Sequence, residues 1–236
     1  MKRSKRYEEL RNSYDKGKRY KTKEAVKVAR KLASANFDET VEVALELGID
    51  PRKSDQMVRG SVILPHGSGR ERKVLVLAEG ELQVEAEKAG ADWVGGDEFI
   101  KKIEGGWLEC DTIIAAPEMM PKIGKLGRTL GPRGLMPTPK NGTVRQDIGE
   151  AVREVKKGKI NFKADRGGNL YIPIGKASFE VEKLYDNFVQ VIRKIWSLKP
   201  ASASGQYFRG ITLSTTMSPG IKVDINYVRN EIVGRS

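Results

Sequence analysis

Three stretches of this sequence carry side chains whose types and spacing suit chemistry. The first is Ile211-Thr212-Leu213-Ser214-Thr215-Thr216-Met217-Ser218. Side chains alternate along a strand, so Ile211, Leu213 and Met217 would share one face and Thr212, Ser214 and Thr216 the other. A row of hydroxyls on a rigid strand can bond 2′-OH groups, phosphates and base edges. It is equally the pattern of an ordinary exposed strand, where Thr is favoured. The second stretch, Lys176-Ala177-Ser178-Phe179, offers a cation, a hydroxyl and an aromatic ring, although Phe179 suits a core as well. The third, Met119 to Gln146, holds five Gly, four Pro, six Lys or Arg and no acid. That density of breakers predicts a long irregular loop. Its apolar residues Met119, Ile123, Leu126, Leu130, Leu135 and Met136 would anchor it. Its cations and free backbone N–H groups would face a polyanion or pack on their own domain.

Covalent chemistry has little to work with. Cys110 is the single cysteine, beside the apolar run Thr112–Ala116, and reads as a buried, inert thiol that permits no internal disulfide. His66 is the single histidine, so Cys/His metal clusters are ruled out and any Ser-His-Asp arrangement would rest on it alone. It lies in Pro65-His66-Gly67-Ser68-Gly69, which reads better as a flexible joint. Phosphate-binding glycine motifs are absent. Gly67-Ser68-Gly69-Arg70-Glu71-Arg72 lacks a third glycine and precedes its strand, and Gly175-Lys176 has no glycine five residues before it. No metal or cofactor is expected. Lys and Arg number 43 against 31 Asp and Glu, a formal charge of +12, which favours an anionic partner, most simply nucleic acid. Acids are numerous enough that a folded protein with basic surfaces is expected. No apolar run approaches the roughly 18–20 residues of a membrane span. The opening MKRSKRYEELR lacks the apolar stretch of a signal peptide, so a cytoplasmic location is expected.

The elements that must hold these stretches read as follows. After the basic segment 2–23 (Lys2, Arg3, Lys5, Arg6, Lys16, Lys18, Arg19, Lys21, Lys23), Thr22 is placed to cap a helix to about Ser34. Asn36 and Phe37 follow at a turn, where Phe37 could stack on a ribose or base or staple the helix. Val41, Val43, Leu45 and Leu47 alternate with polar or small residues, a half-buried strand, and Ser61–Leu64 suggests another. Beyond Gly69 the runs Val74–Ala78 and Thr112–Ala116 read as strands buried on both faces, with Asp92–Val94 between them. Helices alternate with these strands, one capped by Asp97, which is the grammar of a small parallel α/β sheet. Asp147 and Glu150 begin a further helix in the manner of a capping box. Lys156-Lys157-Gly158-Lys159 would be a second joint. Strands near Ile160–Ala164 and Leu170–Ile174, and a helix from Val181 with Leu184, Phe188, Val191, Ile192 and Ile195 on one stripe, precede a last strand, Arg209–Met217, which Ile221–Ile225 would continue.

The run Lys125–Val144, KLGRTLGPRGLMPTPKNGTV, closely resembles the signature of the universal large-subunit ribosomal protein one family. Further blocks extend the resemblance over almost the whole chain: Asn36–Val43, Leu47–Asp50, Ser54–Gly60, Leu64–Gly67, Ala89–Asp92 with Val94–Gly96, Gly175–Phe179 and Thr215–Met217. The resemblance implies an α/β and α+β architecture in two domains. Residues 1–67 and 160–236 would form a discontinuous split α+β domain carrying most of the RNA contact. Residues 68–159 would form an inserted Rossmann-like three-layer α/β domain without a nucleotide. It implies binding to 23S rRNA in the mobile stalk, contact with E-site tRNA as deacylated tRNA leaves, repression through the protein's own operon mRNA, and a monomer when free. Carried over by motif, the RNA-binding residues would be Phe37, Thr40, Glu42, Lys163, Lys176, Ser178, Ser214, Thr216, Met217 and Ser218, with a secondary basic loop of Lys125, Arg128, Arg133 and Lys140. Asn36, Met57, Ala164, Tyr171 and Ser218 depart from the family's usual Lys, Asn, Asn, His and Gly. A nucleotide-dependent RNA-modifying enzyme using the middle α/β part is the alternative reading.

Overall fold

The computed structural model describes residues 4–234, apart from the side chain of Val233; the basic residues Lys2 and Arg3 lie outside the described residues. In chain order the elements are α1 (Lys5–Asn12), α2 (Thr22–Leu32), β1 (Thr40–Leu47), β2 (Arg59–Ile63), β3 (Val74–Leu77), α3 (Glu81–Lys88), β4 (Trp93–Gly95), α4 (Asp97–Glu104) and β5 (Thr112–Ala115). There follow α5 (Met120–Ile123), α6 (Gly127–Leu130), α7 (Ile148–Lys156), β6 (Lys159–Lys163), β7 (Asn169–Lys176), α8 (Val181–Ser197), β8 (Phe208–Thr215), β9 (Ile221–Lys222) and α9 (Ile225–Val228). Among the described residues the architecture is mixed α and β with three sheets. The chain divides into two compact units, one of residues 1–69 with 160–236 and one of residues 70–159.

The first unit is built on a four-stranded sheet in the order β7-β1-β8-β9, in which β1 runs antiparallel to both β7 and β8. The alternation expected of β1 is observed: Val41, Val43, Leu45 and Leu47 are buried against α2 and α8. The α8 stripe of Leu184, Phe188, Val191, Ile192 and Ile195 is fully buried in the same core. Each such side chain removed from water contributes about 1.5–3 kcal/mol. β2 and β6 form a separate two-stranded sheet. The last strand is shorter than expected. β8 stops at Thr215, and Ile221–Lys222 turns back as β9 instead of continuing it. Met217 therefore leaves the buried phase of Ile211 and Leu213 and is 44% exposed in the turn.

The second unit has a parallel sheet in the order β4-β3-β5, with β3 and β5 buried throughout. Three capping expectations fail here and in α2. Thr22 is the first helical residue, buried with its hydroxyl unpartnered. Asp97 lies inside α4 and pairs with Lys122 instead. Asp147 stands at the N-cap of α7 without a side-chain bond, and Glu150 turns to Arg145. Cys110 is buried, and burial pushes its thiol up to about 11, which makes it a poor nucleophile.

Candidate nucleic-acid interface

One corner of the four-stranded sheet gathers most of the expected residues. Here the start of β1 meets the ends of β7 and β8: Thr40 lies opposite Lys176, Val41 opposite Thr215, and Glu42 opposite Ser214. The backbone N–H of Thr40 donates to the Thr216 hydroxyl at 3.0 Å. Lys176 reaches back with its ammonium to the Thr40 hydroxyl at 3.0 Å and the Asp38 carbonyl at 3.3 Å. Both are neutral acceptors, and among the described residues Lys176 joins no ion pair. Ser178 closes the corner by donating its hydroxyl to Asp38 Oδ2 at 2.7 Å and its backbone N–H to Oδ1 at 3.0 Å. Ser218 accepts from Thr215 N–H at 2.9 Å, so the serine standing where glycine is usual is used inside the turn. Phe37 and Met217, 54% and 44% exposed, are large apolar side chains left facing solvent beside this polar set.

Beneath the corner lies a residue that the sequence reading missed. Glu39 is 1% exposed and accepts four hydrogen bonds: from the N–H of Ser34 (2.7 Å), Ala35 (2.8 Å) and Met217 (2.9 Å), and from the Thr215 hydroxyl (2.6 Å). Burial pushes its carboxyl up, but these four donors outweigh it and hold the pKa below the usual 4.5. One carboxylate thus ties the loop that carries Phe37 to the turn that carries Thr216 and Met217. A signal was present. Glu39 is in phase with Val41, Val43 and Leu45, the buried side of β1.

Of the ten residues carried over by motif, nine lie at this corner and Lys163 does not. Lys163 ends β6, next to Ala164, whose N–H donates to Val58, and Asp165 N–H donates to Asn169. Asn169 pairs with Glu46, at the far end of β1 from Thr40, roughly 20 Å away at about 3.3 Å per residue. There Lys163 lines a cavity of about 850 Å³ with Pro51, Arg52, Met57, Ala164, Asp165 and Arg166. Two of the departures from the family pattern, Met57 and Ala164, line this one cavity.

In the second unit the glycine- and proline-rich stretch divides: residues 131–146 form the irregular loop its breakers predict, broken by a single turn at Pro139–Asn141, but its first part does not. From Pro117 to Leu130 it is wound into consecutive helical turns, with Met119, Ile123, Leu126 and Leu130 buried. The strand-like return comes at Val144, bridged to Ala115. Lys125, Arg128, Arg133 and Lys140 are all exposed, and among the described residues none of the four joins an ion pair, whereas Lys122 and Arg145 do.

A family model described as the Ribosomal protein L1p/L10e family matches residues 29–219. The chain belongs to this family. It is 52% identical over 230 residues to the large ribosomal subunit protein uL1 of Nocardioides sp. (strain ATCC BAA-499 / JS614), covering 98% of this chain and 96% of that protein. It is likewise 52% identical over 229 residues to the protein of the same name from Thermobifida fusca (strain YX), covering 97% of each. The family is one of ribosomal proteins, so the chain is a ribosomal protein and not an enzyme; the nucleotide-dependent reading is set aside. Among the described residues no helix is long and apolar enough to cross a membrane.

Proposed function

We propose that the chain binds 23S rRNA directly through the corner formed by Phe37, Thr40, Glu42, Lys176, Ser178, Ser214, Thr216, Met217 and Ser218, and forms the mobile stalk through which deacylated tRNA leaves the E site. The observation that carries this reading is the Lys176–Thr40–Thr216 cluster, a cation bonded to neutral oxygens among hydroxyls and flanked by two exposed apolar side chains. Such a set suits ribose hydroxyls, phosphates and an unstacked base together. In this reading residues 1–67 and 160–236 are the main RNA-binding domain and 68–159 the inserted one; the division into compact units at 69/70 and 159/160 supports it. Lys163, with Arg52 and Arg166, forms a second cationic contact at the other end of the sheet. Lys125, Arg128, Arg133 and Lys140 supply a secondary phosphate-facing surface, for rRNA or E-site tRNA. The same corner serves repression by binding a similar fold in the protein's own operon mRNA. The free protein is a monomer.

A footprint on isolated large-subunit rRNA tests the reading. Protection confined to one helical junction supports it; no protection at low ionic strength sinks it. Within that assay Lys176→Ala should flatten the log–log salt dependence of binding by about one unit, the signature of one lost phosphate contact. Thr216→Val should weaken binding by about 1–3 kcal/mol. Its hydroxyl already accepts from Thr40 N–H, so part of that loss comes from a loosened strand end. An unchanged affinity in a folded Thr216→Val protein would contradict the assignment.

A further inference from the structure

Within the first unit, α2 and α8 pack on one face of the four-stranded sheet, the side of Val43, Leu45 and Leu213. On the other, open side Glu42, Glu46 and Tyr171 are exposed and Ala44, Thr212 and Ser214 half-buried. Register places three cross-strand rows on that open side. The first is Pro173, Glu42 and Ser214, the second is Tyr171, Ala44, Thr212 and Lys222, and the third is Asn169, Glu46 and Gly210. Two features of these rows are unusual for a solvated sheet face. Tyr171 is 64% exposed, the most exposed large apolar residue among those described, and its cross-strand neighbour is only an alanine, which leaves its ring uncovered on that side. Glu42 and Glu46 stand two residues either side of Ala44, both exposed, and neither joins an ion pair or a side-chain hydrogen bond among the described residues.

Carboxylates repel phosphates but accept hydrogen bonds from base N–H groups. An exposed aromatic ring on a sheet is a stacking platform for an unpaired base. The first row is continuous with the corner described above, since Glu42 and Ser214 belong to both, and Lys222 at the rim can meet the phosphate of a nucleotide lying across the face. We propose that this open face holds one unpaired RNA base, stacked on Tyr171 over Ala44, whose Watson–Crick edge donates to Glu42 or Glu46. Guanine fits best, because its N1–H and N2–H lie side by side and match the two oxygens of one carboxylate. The phosphates are gripped at the corner, and the base is read on the sheet. This rests on the reading that the first unit binds rRNA, and adds to it which chemical group of the RNA the carboxylates meet.

The test uses the full chain and an rRNA fragment containing the protected junction. Tyr171→Leu keeps an apolar side chain on an exposed position and removes the ring; it should weaken binding about tenfold with the salt dependence unchanged, because stacking releases no counterions. Tyr171→Phe should bind within about twofold of the parent, the ring being what stacks. Inosine substituted for each unpaired guanine in turn should find one position whose loss is not additive with Glu42→Gln or Glu46→Gln. If the parent binds and Tyr171→Leu binds equally well, the inference fails while the main reading stands. If the parent itself ignores the fragment, the main reading fails first. Weakening by Tyr171→Leu seen only with whole large subunits and not with the bare fragment would show a protein against this face and overturn the inference. So would an equal loss in the phenylalanine and leucine variants.

Discussion

Replacing Glu39 by alanine should destabilise the first unit by about 3–5 kcal/mol and weaken RNA binding more than any single change at the exposed corner. The figure follows from four donors that lose one buried, charged acceptor; hydrogen bonds to charged groups contribute about 1.5–3 kcal/mol each, and they are not additive when they share a carboxylate. Part of the loss is recovered because Ser34 and Met217 lie at the surface, where water can reach their N–H groups. Binding suffers because Glu39 fixes the Phe37 loop and the Thr216–Met217 turn relative to each other. Chemical denaturation followed by far-UV circular dichroism measures the first effect, and titration with the rRNA fragment under conditions where the variant is folded measures the second. Glu39→Gln should be milder. It keeps one acceptor oxygen but aims an amide N–H₂ at groups that are themselves donors.

The same carboxylate sets a pH dependence whose sign is fixed. Its folded pKa lies below the usual 4.5. As pH falls, the unfolded chain therefore takes up the proton before the folded one does. The stabilisation is complete above the unfolded value and is lost as pH falls through the lower folded value. Denaturation midpoints of the parent and of Glu39→Gln should accordingly differ most near neutral pH and converge in acid. A gap that persisted unchanged to low pH would mean that the charge is not what the four donors require.

Glu39 also marks where sequence legibility stopped. The period of two along Thr40–Leu47, the stripe of α8 and the buried runs of β3 and β5 were all readable, because burial on one face or two leaves a direct trace in apolar spacing. The hydroxyl row was readable for the same reason as far as Thr212 and Ser214, opposite the buried Ile211 and Leu213; Thr216 lies in the turn beyond the strand. An acid in the apolar phase is harder to read. Its burial depends on donors from Ala35 and Met217, far apart in the chain, and no local rule announces them. The caps failed for a related reason, since tertiary partners outbid local ones: Asp97 is drawn to Lys122 and Thr22 is packed inward. The segment from Met119 misled through its glycines. Met119, Ile123, Leu126 and Leu130 are spaced by four, three and four, a helical period, and Gly124 and Gly127 accept helical backbone angles. Glycine weakens a helix by about 1 kcal/mol but does not forbid one whose apolar side is buried.

The other large effect is expected at Asn187, a fully buried amide on α8. Its Nδ2 donates to the carbonyls of Ile174 at 2.7 Å and Gly67 at 2.9 Å, and its Oδ1 accepts from His66 N–H at 3.1 Å. One side chain thereby completes the pairing of three backbone groups from two distant segments. Asn187→Leu nearly conserves volume, so the change isolates polarity from packing. It takes the partner from two carbonyls and one N–H; the Ile174 carbonyl is buried and costs about 1–3 kcal/mol, while water can reach the half-buried Gly67 and exposed His66 groups in part, so a net loss of about 2–4 kcal/mol is expected. The loss should be local before it is global. Gly67 and Gly69 both have positive φ, and Gly69 passes so close to Lys176 and Phe179 that a Cβ there would stand 2.6 Å from the lysine side chain. Releasing His66–Gly67 from α8 therefore frees the segment that packs beneath Lys176. Hydrogen exchange should speed up at the His66 amide well before the core of β1 responds. RNA affinity should fall with its salt slope unchanged, since no charge is removed. If the His66 amide of the leucine variant stayed as protected as in the parent, the amide would not be what holds this segment down, and the stability loss would have to come from packing in α8 alone.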